Sequence, residues 1–168
     1  GSLRAWFGAP YELLRFSFAE PIREIQAGGT GEERDGYCVV LANGEVACAD
    51  ARDPHAMPRR VAGLTEVVSV APGYSHSCVL KRDSTVWCWG RNDFGETGTS
   101  PESSEQCAGQ AFPDERGNLV RPFHACVRQP RQVLGLSDVV ELGVAEGRSC
   151  VRKRDGTVWC WGGNVGGR

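Results

Sequence analysis

Cysteine is the residue with the most chemistry to offer in this sequence. Eight occur, and six fall in pairs ten positions apart: Cys38 with Cys48, Cys78 with Cys88, and Cys150 with Cys160. Thiols at a recurrent spacing either hold a metal or oxidise. Structural zinc calls for close ligand pairs such as Cys-x2-Cys, and no such pair is present. Each pair instead brackets a tight-turn sequence centred on Asn43, Asp83 or Asp155. Residues equidistant from the centre of a hairpin turn face each other, with Cβ atoms about 4.5–5.5 Å apart. A disulfide needs about 3.5–4.5 Å, so a small adjustment closes each bridge. Cys107 and Cys126 are expected to form a fourth bridge that closes the segment between them. Four disulfides imply an oxidising compartment, meaning an extracellular, periplasmic or cell-surface location.

Other reactive groupings carry less. His76 lies between Ser75 and Ser77, but only His55, His76 and His124 occur and no Gly-x-Ser-x-Gly elbow is present, so no catalytic residue is assigned. The glycines at 28, 29 and 31 and at 162–167 lack the Gly-Lys-Ser/Thr of a phosphate loop and read as turn residues. Glu32, Glu33 and Asp35 form a solvated acidic loop without a calcium ladder, so neither metal nor cofactor is expected. Arg152, Lys153 and Arg154 read as a solubilising turn. A formal charge of -2 with scattered cations argues against nucleic acid. No apolar run reaches the roughly 20 residues that span a bilayer, so membrane insertion is not expected. No signal peptide is visible, although Gly1-Ser2 resembles a cloning scar.

The elements that must position the cysteines emerge from self-comparison. Residues 58–68 return at 130–140, Ser77-Cys78-Val79 returns at Ser149-Cys150-Val151, and 86–90 return at 158–162, all at an offset of 72. A weaker copy, Tyr37 to Leu41 followed by Asn43 to Cys48, matches at an offset of 40. The period is therefore near 40, and the longer step contains an insertion. Each unit holds short β-branched or aromatic runs bounded by Pro-Gly, Asn-Gly or Asp-Gly, which read as strands. Trp87 and Trp89 would share one face, and Val86 and Cys88 the other. Both faces are apolar, so each small sheet needs cover on both sides, and stacking successive sheets supplies it. A period near 40 with several strands per unit is the mark of propeller blades. The expected fold is all-β: a partial β-propeller of about three blades, each a small antiparallel sheet, with one long disulfide-stapled insertion loop. The divisions are 1–21, an N-terminal segment with an edge strand near Leu13 to Phe18; 22–57, a divergent first blade; 58–98, the second; 99–129, the insertion; and 130–168, a truncated third. Ser84 stands where the other two turns place glycine and should be strained.

The segment from Gly73 through His76, Ser77, Asp83, Val86, Trp87, Trp89, Gly90, Asn92 and Gly95 to Gly98 resembles the repeat of the regulator of chromosome condensation family. Residues 145–167 follow the same pattern with Arg148 in place of His76, and 37–49 follow its middle. The Trp-Cys-Trp-Gly variant with a paired upstream cysteine resembles secreted bacterial members. The resemblance implies a propeller, usually of seven blades, that engages a protein partner through one rim, and a His76 that hydrogen-bonds within its own blade. Three blades do not close such a ring, so a longer parent chain or a homo-oligomer is expected. The insertion is the best candidate for partner binding. Loops of this length are uncommon unless functional or disordered, and a cysteine pair argues for order. Phe112, Arg121, Phe123, His124 and Arg128 in it are the types enriched at interaction hot spots. The expected function is a macromolecule-binding module. The rival readings are a structural or adhesive scaffold that self-assembles and, less favoured, a propeller lyase or hydrolase.

Overall fold

The computed structural model describes residues 2–7, 12–28, 36–49, 57–109 and 111–163, with side chains from Phe16 onward. Sixteen strands follow one another: β1 (Ser2–Phe7), β2 (Glu12–Ser17), β3 (Ile22–Gly28), β4 (Gly36–Leu41), β5 (Val46–Ala49), β6 (Arg59–Arg60), β7 (Val67–Pro72), β8 (His76–Lys81), β9 (Val86–Arg91), β10 (Glu105–Ala108), β11 (Phe112–Pro113), β12 (Leu119–Val120), β13 (Phe123–Gln132), β14 (Val139–Ala145), β15 (Arg148–Lys153) and β16 (Val158–Gly162). Among the described residues the sole helical element is a single 3-10 turn at Pro101–Ser103. The fold is all-β, in small antiparallel sheets of the propeller kind.

Three sheets carry the repeats: β3-β4-β5-β6, then β7-β8-β9-β13-β10, then β14-β15-β16. Their packing follows from strand alternation. In the second sheet Val79, Trp87 and Trp89 point to the first sheet and meet Cys38, Val40 and Val46. Cys78, Leu80, Val86 and Cys88 point the other way and meet Val133, Val139 and Val151. Both faces of the second sheet are therefore core, as the doubly apolar pattern required.

The repeated turns are alike in detail. The Leu41, Lys81 and Lys153 N–H groups each donate to the carbonyl four residues ahead, at Glu45, Thr85 and Thr157. The Asn43, Asp83 and Asp155 side chains accept from the N–H two residues on. Gly44, Ser84 and Gly156 have φ of 81°, 64° and 87°. Ser84 thus occupies the left-handed region that favours glycine. Cys38, Cys78 and Cys150 lie directly opposite Cys48, Cys88 and Cys160 and are bonded to them, with Cα atoms 4.1 Å apart in each bridge.

Two features depart from the linear division of the chain. The sheet unit is offset from the sequence repeat: Arg59–Arg60 pairs with β5 of the first sheet, and Arg131 and Gln132 pair with β9 of the second. Each repeat copy therefore opens by completing the preceding sheet, which ties neighbouring sheets together through the backbone. The N-terminal strand β2 pairs with β1, not with an edge of the first sheet. Phe16 and Phe18 instead lie on that sheet's outer face against Tyr37, Val39, Leu41 and Ala47. Two same-side aromatics cover a face better than they extend an edge.

Candidate functional site

The insertion extends the second sheet. Strand β13 runs along β9, and β10 adds outside β13 as a fifth strand. The β13–β9 register slips between Val127 and Arg131, where Pro130 has no N–H to give to the ladder. Cys107 and Cys126 are bonded, with Cα atoms 5.8 Å apart. They are diagonal neighbours: Cys107 faces His124, and Cys126 faces Glu105.

A buried polar hub holds the start of this insertion. Asn92 is fully buried. Its amide nitrogen donates to the Thr99 carbonyl, Thr99 Oγ1 and Ser104 Oγ at 3.0, 3.1 and 2.7 Å. Its Oδ1 accepts from Thr97 N and Thr97 Oγ1 at 2.9 and 2.8 Å. Asp93, beside it, takes the Ala125 N–H at 2.7 Å and pairs with Arg91. Asn92 belongs to the repeat pattern that the sequence resembles, but its role in gathering the chain from Thr97 to Ser104 has no signature in sequence.

The stapled insertion then stands over the turn at Tyr74 and Ser75 and forms a groove with it. A cavity of about 390 Å³ lies between Tyr74, Ser75 and Arg91 on one side and Phe112, Phe123 and His124 on the other. A second, of about 230 Å³, continues past His124 and Arg128 along Gly90 and Ser75. A third, of about 300 Å³, extends from Ser75 and Trp89 to the ends of the first sheet at Gly36 and Ala49. Gly90 is needed at the floor: a Cβ there would fall 2.6 Å from the Cα of His76. Four of the five anticipated binding residues line these cavities, namely Phe112, Phe123, His124 and Arg128. Arg121 is exposed and lines none of the three. Phe112 and Phe123 are 51% and 71% exposed, and Leu119 and Val120 on the same insertion add to the apolar surface. Arg128 is fixed by Glu105 at 2.9 Å and by the Gln106 carbonyl at 3.3 Å. Such a groove can take an extended polypeptide with an apolar anchor.

His76 sits elsewhere. It is buried, and its Nε2 bonds Ser149 Oγ of the third sheet at 2.8 Å. The expected bond within its own blade is replaced by one across the sheet boundary, because His76 shares the face of Cys78 and Leu80 that meets the third sheet. Burial pushes its pKa down to about 4. At Tyr37 burial pushes the phenol pKa up. Among the described residues no group of His, Cys, Asp and Glu is placed to hold a metal, and no helix is long and apolar enough to cross a membrane.

Comparison with known proteins agrees with this architecture. Residues 67–96 match the model of the regulator of chromosome condensation (RCC1) repeat. The chain is 29% identical over 106 residues to the guanine nucleotide exchange factor SRM1 of Saccharomyces cerevisiae, covering 58% of this chain and 22% of that protein. It is 39% identical over 56 residues to the probable E3 ubiquitin-protein ligase HERC4 of Rattus norvegicus, covering 32% of this chain and 5% of the relative. Among solved structures, Prp20p from Saccharomyces cerevisiae superposes with a TM-score of 0.64 at 20% identity, covering 90% of this chain and 33% of Prp20p. Human WBSCR16 gives 0.63 at 16% identity, covering 90% and 35%. The chain thus spans about a fifth of the yeast exchange factor and about a third of the solved structures. Residues 67–96 thus carry an RCC1-type repeat, and the stacked antiparallel sheets of the chain have the β-propeller fold of these structures.

Proposed function

We propose that this chain is a protein-binding propeller module of an exported protein, and that its partner seats in the rim groove between the stapled insertion and the Tyr74–Ser75 turn. One observation carries this reading: Phe112 and Phe123 are held exposed, beside His124 and Arg128, on a segment braced by a disulfide and by the Asn92 hub. Ordering two aromatic side chains before binding lowers the entropy lost on association. Four disulfides support residence in an oxidising compartment, outside the cytoplasm. Yeast Prp20p binds Gsp1p and histones, which makes a protein the natural class of partner for a propeller of this type. The stretch shared with HERC4 is 5% of that protein, so no ligase activity is carried over, and the module is read as a binder and not an enzyme. Covering a third of its structural relatives, it is read as part of a larger propeller.

The test is capture of exported proteins of the source organism on the immobilised chain, in parallel with a Phe112→Ala/Phe123→Ala double variant. The reading expects a partner retained by the native chain, lost from the double variant, and crosslinked to residues 105–128. Equal retention by both, or crosslinks confined to other surfaces, would overturn it.

A further inference from the structure

The second and third sheets meet around one polar relay in an otherwise apolar boundary. Ser149 Oγ donates to the Glu96 carbonyl at 3.0 Å, and Trp161 Nε1 donates to the same carbonyl at 2.9 Å. The single Ser149 proton is thereby spent, so His76 must donate to Ser149 through its Nε2–H at 2.8 Å. The imidazole is then the Nε2 tautomer, and its Nδ1 is a bare acceptor. Nδ1 is buried, and among the described residues nothing bonds it. A proton arriving at Nδ1 would create a cation with a donor that has no acceptor, inside a boundary lined by Cys78, Leu80, Val139 and Val151.

Among the described residues no carboxylate bonds the His76 ring, and the charged groups around it are engaged elsewhere. On the third sheet, Arg148 adjoins Ser149, but its guanidinium is held by the Gly163 carbonyl at 2.7 Å, and Glu141 is paired with Arg152. On the connecting turn, the Glu96 carboxylate accepts the Phe94 N–H at 2.8 Å. On the second sheet, Arg91 and Asp93 are paired with each other. Strand β7 contributes no titratable side chain.

We propose that the boundary between the second and third sheets is an acid-sensitive latch, closed by neutral His76 and opened when its imidazole is protonated. The opening is local: the first two sheets keep their own core around Val40, Val67, Val70 and Val79, and the third sheet swings free of it. The sign follows from burial. The docked state disfavours the imidazolium, with a pKa of about 4 against 6.5 for a free imidazole. Docking is therefore at full strength above pH 6.5 and weakens as pH falls towards 4. At pH 4.5 the opening equilibrium should have risen by on the order of 50- to 100-fold over its value at pH 7.

Amide hydrogen exchange between pH 7.5 and 4.5, corrected for intrinsic rates, reads this directly. The native chain should lose protection at β15 and β16 while β4 and β5 keep theirs. In His76→Gln, whose amide can still donate to Ser149, the protection of β15 should not change with pH. Equal acid loss in the variant, a flat profile in the native chain, or simultaneous loss in both sheets would overturn the latch. NMR of the His76 Cε1–H in the native chain needs no variant: the docked imidazole should titrate near 4, with protection at β15 already falling in the interval between 6.5 and that midpoint, and a His76 midpoint near 6.5 would also overturn it.

Discussion

The Ala125 N–H donates to the Asp93 carboxylate at 2.7 Å, while the Ala125 carbonyl takes the Asn92 N–H at the same distance. One residue of the insertion is thus gripped on both its main-chain groups by the turn that follows β9. Asp93→Ala should leave the part-buried Ala125 N–H unpaired and cost about 1–3 kcal/mol. Urea denaturation would measure the loss, and faster amide exchange confined to 123–127 would place it. Unchanged exchange there would mean that the grip is dispensable.

Asn92 is the more severe site. It makes five side-chain bonds from a fully buried position. Asn92→Ala removes all of them and strands the Thr97 N–H. A loss of about 3 kcal/mol or more is expected, together with loss of any partner bound at the groove. A variant that keeps native stability would show the hub to be replaceable.

Ser84 offers the opposite effect. Its φ of 64° is close to those that Gly44 and Gly156 adopt in the other two turns. Ser84→Gly should relieve about 1 kcal/mol of backbone strain. For a domain of this size that raises Tm by about 2–4 °C. The directly comparable Gly156→Ala should lower it, and calorimetry on both variants checks the sign.

The disulfides should differ in accessibility. Cys78 and Cys88 are fully buried between two sheets, whereas Cys160 is exposed. Under a limiting dithiol with the fold intact, alkylation followed by peptide mass spectrometry should label Cys150 and Cys160 well before Cys78 and Cys88. Exchange requires the attacking thiolate to reach a sulfur. Equal labelling would mean that the sheets open together.

Much of this molecule was legible in its residues. Cysteines mirrored about Asn43, Asp83 and Asp155 determine three hairpin registers by themselves, because a strand pair related by a tight turn has one possible set of opposite partners. The offset of 72 and the doubly apolar Trp-Cys-Trp stretch point to stacked sheets: the copy at Val86 to Trp89 is covered on both faces, whereas Val158 and Trp159 of the third sheet stay exposed. The insertion's candidate residues could be named from their types. What only the tertiary structure decided is where those pieces meet. Gathering Phe112, Phe123, His124 and Arg128 while leaving out Arg121 depends on β13 pairing with β9 and β10 pairing outside it, contacts between residues far apart in the chain. His76 crossing to Ser149 depends on which sheet lies next to its face. Local pattern specifies the face a side chain takes; its neighbour on that face is set by long-range packing, which leaves no periodicity to read.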